Sequence, residues 1–170
     1  MAGTDLSAAA ASLLTAATAA LALTSNGPVS RTLLSHGPPV FDCCDLCAVH
    51  VALLDEHELA RPGSPQMPQV DPAVPLVTFV VTFGRCYPIV GGGVQITTPT
   101  AQQMTVGAVA LMEDAWTVYN HLKTMARAST LFPSRPCRSV KVTPAVPIVP
   151  QGGCAGWTLT VAVQLDGYSV

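Results

Sequence analysis

The stretch from Thr100 to Ala128 constrains this chain more than any other, because its apolar residues keep one helical period from end to end. Met104, Ala108, Leu111, Ala115, Val118, Leu122 and Met125 follow one another at steps of four and three, which lays them along one face of an α-helix. Both ends are marked. Thr100 with Gln103 three residues on reads as a capping box, and Lys123 and Arg127 sit where the negative end of the helix dipole favours cations. Val109, Met112, Trp116 and Tyr119 make a second, adjoining stripe. A helix apolar over more than half its circumference needs cover on two sides. A sheet supplies one, and the other is expected to be something larger than the monomer.

Composition points the same way. A chain of 170 residues is expected to form one domain spanning 1–170, with a core large enough to need no cofactor. Charged residues make up 11%, against about 25% in an ordinary globular domain. With a net charge of −2 and 5% aromatics, the clustered Lys/Arg and stacking rings of a nucleic-acid reader are missing. So sparse a surface suits a subunit covered by copies of itself or by partners.

Along the chain, Leu6 to Thr24 is an Ala-rich run. A signal peptide wants a basic start, yet Asp5 lies here and no Lys or Arg precedes Arg31; a membrane span is interrupted by Ser7, Ser12, Thr15 and Thr18. Leu6, Ala10, Leu13, Ala17, Ala20 and Leu21 share one helical side, so an amphipathic packing helix is the preferred reading, stopped by Asn26, Gly27 and Pro28. Arg31 to Phe41 reads as a connector. Cys47, Val49, Val51 and Leu53 then alternate with Ala48, His50 and Ala52 as a half-buried strand. Asp55 to Val74, broken by Pro62, Pro65, Pro68 and Pro72, reads as a long loop.

A second strand follows over Leu76 to Arg85, with Val77, Phe79, Val81 and Phe83 inward, and a loop carrying Gly91, Gly92 and Gly93 leads to the long helix. Beyond it, Val140, Val142, Val146 and Ile148 alternate as a third strand. Pro144 and Pro147 inside it are tolerable only on a sheet edge or at a bulge. Gln151, Gly152 and Gly153 form a turn into the last strand, where Trp157, Leu159, Val161, Val163 and Leu165 face one way. The expected fold is therefore α+β, in the order α-β-β-α-β-β, with about four strands in one mostly antiparallel sheet and the helices on one face.

No catalytic constellation is visible. His36, His50, His57 and His121 fall in no metal-ligand or nucleophile motif, and the glycines before the long helix are not followed by the Lys of a phosphate loop. The chain reads as no enzyme, with neither cofactor nor metal. Asp55, Glu56, His57 and Glu58 form a charged cluster that suits a solvated loop, a partner contact or an acid/base site. Cys44 and Cys47 make a C-x-x-C, yet no second close pair completes a zinc site, so a disulfide and free buried thiols both stay open for the six cysteines.

The first hairpin can be registered by matching inward residues. Leu53 then pairs with Val77, Val51 with Phe79, Val49 with Val81 and Cys47 with Phe83, and continuing the ladder sets Cys44 opposite Cys86. Opposed Cβ atoms lie near bridging distance, so Cys43 or Cys44 could bond to Cys86.

The Cys43-Cys44 pair, Arg85-Cys86-Tyr87-Pro88 closing the second strand, and Gly153-Cys154-Ala155-Gly156-Trp157-Thr158-Leu159-Thr160-Val161 opening the last resemble the small neck proteins of tailed phages of actinobacteria. From Leu6 to Leu165 the architecture is similar to that of siphophage tail terminators. The resemblance implies a homo-oligomeric ring, typically a hexamer, assembled in the host cytoplasm and resident in the virion neck. One face would meet the head connector or stopper protein and the other the tail tube protein, with neither nucleic-acid recognition nor a membrane involved. Another neck ring, such as a head completion protein, is the first alternative, and a secreted cysteine-stabilised binding domain the second. Expected contacts are Glu56, His57, Glu58, Arg61, Gln66 and Gln69 in the first loop, Tyr87, Val94 and Gln95 in the second, and Trp116 and Tyr119 on the helix.

Overall fold

A computed structural model describes residues 2–39, 45–57, 74–87, 99–133, 137–151 and 153–165. The elements run α1 (Ala2–Leu21), β1 (Arg31–Leu34), β2 (Leu46–His57), β3 (Val74–Cys86), α2 (Ala101–Arg127), β4 (Cys137–Val142), β5 (Val146–Gln151) and β6 (Cys154–Leu165). The strands form one sheet in the order β1-β2-β3-β6-β4, with β5 also on β6.

The fold is α+β, and its sheet is mixed: β1 runs parallel to β2, and every other pairing is antiparallel. The segment read as a connector thus holds an edge strand. Four residues are too few for alternation to announce one, and β1 is fixed by its neighbour, Arg31 lying beside Leu46 and Leu34 beside Val49. The proline-bearing third strand is two elements laid end to end along β6: β4 pairs with its C-terminal half and β5 with its start. Thr143 bridges the break, its N–H donating to Thr160 O at 2.9 Å. Pro144 and Pro147 accordingly sit on an edge, where a missing N–H is tolerated.

The hairpin register holds for Cys47↔Phe83, Val49↔Val81 and Val51↔Phe79 and fails at Leu53, which lies opposite Thr78. A bulge between Val51 and Leu53 inserts one residue. That turns Leu53 outward, 49% exposed, so the bulge overrides the alternation. At the other end the ladder begins at Leu46↔Gly84, and Asp45 takes a left-handed φ of 71°. The expected continuation of the ladder to Cys44 opposite Cys86 lies outside the described residues.

The core lies between the helices and one sheet face. Leu13, Ala17 and Leu21 of α1, and Val118 and Leu122 of α2, pack with Val49, Phe79, Val81, Phe83, Leu159 and Val161. Phe132, just past α2, stacks on Phe79 with ring centroids 6.3 Å apart. The threonines of α1 are accommodated by bonding back into their own helix, Thr15 Oγ1 donating to Ala11 O and Thr18 Oγ1 to Leu14 O, each at 2.9 Å. Among the described residues, no helix is long and apolar enough to cross a membrane. The opposite sheet face is not wholly solvated either. Leu46, Ala48, His50 and Thr82 are buried there, so β2 is buried on both faces at its start.

The long helix has the expected bounds. Thr100 N donates to Gln103 Oε1 at 2.9 Å and Gln103 N to Thr100 Oγ1 at 3.2 Å, which completes the capping box. Its buried positions are Leu111, Asp114, Ala115, Val118 and Leu122. Met104, expected on the same face, is instead exposed, as are all of Ala101 to Val106, so the covered part of the stripe begins only further along the helix.

Candidate functional site

Two features of α2 stand out: a buried carboxylate on its inner side and a bare apolar stripe on its outer side. Asp114 is fully buried, and a buried charge survives only with partners. Arg85 Nε donates to its Oδ2 at 3.0 Å and Asn26 Nδ2 to its Oδ1 at 3.0 Å. The guanidinium is otherwise occupied: Nη2 donates to Gly27 O at 2.6 Å, and Nη1 forms an ion pair with Asp45. Burial by itself would raise the Asp45 carboxyl. The hydrogen bonds from Arg85 and Ser30 outweigh it and hold the group below the usual carboxylate value.

This cluster pins the end of β3, the start of β2 and the turn after α1 to the middle of α2. Ser25, whose N–H and hydroxyl both bind Glu113, adds a surface clamp beside it. Every guanidinium nitrogen has a partner, so the cluster is a joint and offers no spare group for chemistry. Sequence reading missed Asp114 because a carboxylate in a helix reads as solvent-facing. The available signal was position: Asp114 lies beside Ala115 within the buried stripe, and Arg85 shares the inward parity of Phe79 and Phe83.

On the outer side, Val109, Met112 and Trp116 are spaced by three and four residues and are 58%, 54% and 69% exposed. Val106 and Met104 prolong the bare region towards the helix start. Tyr119 is half-buried and carries Lys123 Nζ 5.0 Å from its ring centroid, a cation–π contact. Beside Met112, a cleft of about 200 Å³ runs between α2 and the β5–β6 corner, lined by Tyr87, Leu111, Ile148 and Trp157. Close packing makes that corner: a Cβ on Gly156 would stand 2.1 Å from Phe83 O. A larger cavity of about 620 Å³ separates Asn26, Arg85 and Cys86 from the first turns of α2.

Of the expected contact residues, Tyr87, Trp116 and Tyr119 fall around this part of the molecule, Tyr87 Oη donating to Met104 O at 3.4 Å. Glu56 and His57 end β2, paired with Pro75 and Val74. Glu58, Arg61, Gln66, Gln69, Val94 and Gln95 lie outside the described residues, as do Cys43 and Cys44. Cys86 is a free, exposed thiol, and Cys47 is a free, buried one. Cys154 is disulfide-bonded. Burial pushes the Cys47 thiol up to about 12, against a smaller opposing pull from Arg85. Among the described residues, no group of three or more His, Cys, Asp or Glu is placed to hold a metal ion.

The chain matches no protein family and no curated protein. The surface of α2 is therefore the ground on which a function has to be argued.

Proposed function

We propose that this chain is a structural virion protein that self-associates into a ring at the head-to-tail joint, most specifically a tail terminator that caps the tail tube and joins it to the head connector. The observation carrying the self-association is the bare stripe Val109, Met112 and Trp116, on a helix whose other stripe is buried from Leu111 to Leu122. With Met104 and Val106 it offers roughly 600 Å² of largely apolar surface, set against the ~800 Å² that each partner of a standard interface buries. The occupant we assign is a second copy of the chain. Heterologous contacts close into a ring when each subunit presents two different faces. The head-to-tail location rests on the sequence resemblance alone.

The disulfide at Cys154 favours a second reading, a secreted cysteine-stabilised binding domain, because disulfides persist in oxidising compartments. Native mass spectrometry of the wild type and of Trp116→Glu separates the two. The ring reading expects closed oligomers at micromolar concentration that fall to monomers in the variant. A soluble wild-type monomer would sink it, and a mature N-terminus cut after about Ala22 would favour the secreted domain.

A further inference from the structure

We infer that copies of this chain join strand to strand, the uncovered margin of β2 on one copy pairing antiparallel with the uncovered margin of β4 on the next. The inference rests on the self-association proposed above and supplies the two different faces that a closed ring requires. Among the described residues, β1 covers β2 only as far as Val49, although β2 runs on to His57. At the other side of the sheet β4 pairs with β6 alone. Each margin therefore presents backbone N–H and C=O groups that another strand can take up.

Charge distinguishes the two margins. Asp55 and Glu56 lie at the free end of β2, and no Lys or Arg occurs between Thr32 and Ala60. Arg138 and Lys141 lie on β4, beside which α2 brings Lys123 and Arg127, and no Asp or Glu occurs between Ala115 and Leu165. One margin is acidic and the other basic, so each repels its own kind and attracts the opposite one. That favours a head-to-tail contact over a twofold pairing of like margins.

The backbone parity fits as well. Ser35 N donates to Val49 O, so odd residues of β2 turn their backbone groups to the margin before the bulge, and the extra residue between Val51 and Leu53 gives that role to Leu54 and Glu56 after it. On β4, Thr143 N donates to Thr160 O, which leaves the backbone groups of Val140 and Val142 turned outward. Three antiparallel steps separate β2 from β4, so copies that share one strand direction meet antiparallel. Matching Leu54 with Val142 and Glu56 with Val140 sets Asp55 opposite Lys141, a cross-strand ion pair at the position where side chains come closest. Pro144, just beyond, lacks a donor and confines the ladder to β4.

The test is disulfide trapping in the full chain. Within one copy Asp55 and Lys141 stand three strand spacings apart, at least roughly 14 Å, too far to bridge. Asp55→Cys combined with Lys141→Cys, oxidised in native buffer and run without reductant, should therefore give a ladder of linked copies, about tenfold above either single variant. Lys141→Asp alone, at an exposed position, should weaken association by about tenfold in native mass spectrometry, and adding Asp55→Lys should recover it. A wild type that assembles while the double variant links no better than the singles, or while the charge swap recovers nothing, overturns this joint and leaves self-association standing. Linkage of Asp55→Cys to its own kind overturns it in favour of a twofold contact between β2 margins. A wild type that stays monomeric overturns both.

Discussion

The two stripes of α2 are alike in composition and opposite in fate. Leu111, Ala115, Val118 and Leu122 are buried against the sheet and α1, while Val109, Met112 and Trp116, on neighbouring turns of the same helix, remain bare. Periodicity reports that a face wants cover; it does not report who supplies it. The inner stripe also tolerates a carboxylate that the outer one lacks, because Arg85 and Asn26 reach Asp114 from other elements. A covered face can therefore be more polar than an uncovered one, and the sign of a residue's hydropathy is a poorer guide than its partners.

The comparison breaks most sharply at Asp114. Asp114→Ala leaves the Arg85 guanidinium without its buried partner and is expected to destabilise the fold by about 3–5 kcal/mol in urea unfolding. Leu122→Ala, on the same stripe, should cost about 2–4 kcal/mol by opening a cavity in the core. If either behaves like a surface change, the inner stripe is not what holds α2. At the helix start, Thr100→Ala removes the capping box and should cost about 1 kcal/mol. Trp116→Ala should leave monomer stability within about 0.5 kcal/mol, yet shift the sedimentation profile towards smaller species if the proposed self-association uses the outer stripe. A loss of several kcal/mol there would mean that Trp116 belongs to the core after all.

A finer contrast is available through pH. His50 is buried, its Nδ1 has no hydrogen-bond partner, and burial holds its pKa below the ordinary 6.5. The unfolded chain takes up that proton more readily. The stability contributed is thus complete above about pH 6.5 and is lost as pH falls towards the folded value. Asp45, also lowered, contributes stability above its ordinary 3.8 that is lost only on further acidification. Unfolding curves between pH 7 and pH 5 should accordingly weaken for the wild type and stay flatter for His50→Asn.

Much of this was legible in the sequence, and the failures have physical causes. The bounds of α2 followed from Thr100, Gln103 and Arg127, whose local chemistry needs no knowledge of the rest of the chain. The β2–β3 register followed from inward parity as far as Val51, then failed because nothing in Ala52 announces a bulge. β1 escaped because a four-residue parallel edge strand owes its existence to β2. The Arg85–Asp114 joint escaped because it spans elements 29 positions apart in sequence, and a charge is assigned to solvent until its partner is known.

The sheet margins carry a last consequence. One margin is β1, only four residues long, and the other is β4–β5, whose Pro144, Pro147 and Pro150 remove backbone donors. A strand arriving from another molecule at the β4–β5 margin finds a gapped row of hydrogen-bond sites, whereas on the other side β2 runs on to His57, past the four residues that β1 covers. Edge-to-edge growth of sheets into fibrils is thereby disfavoured at the β4–β5 margin.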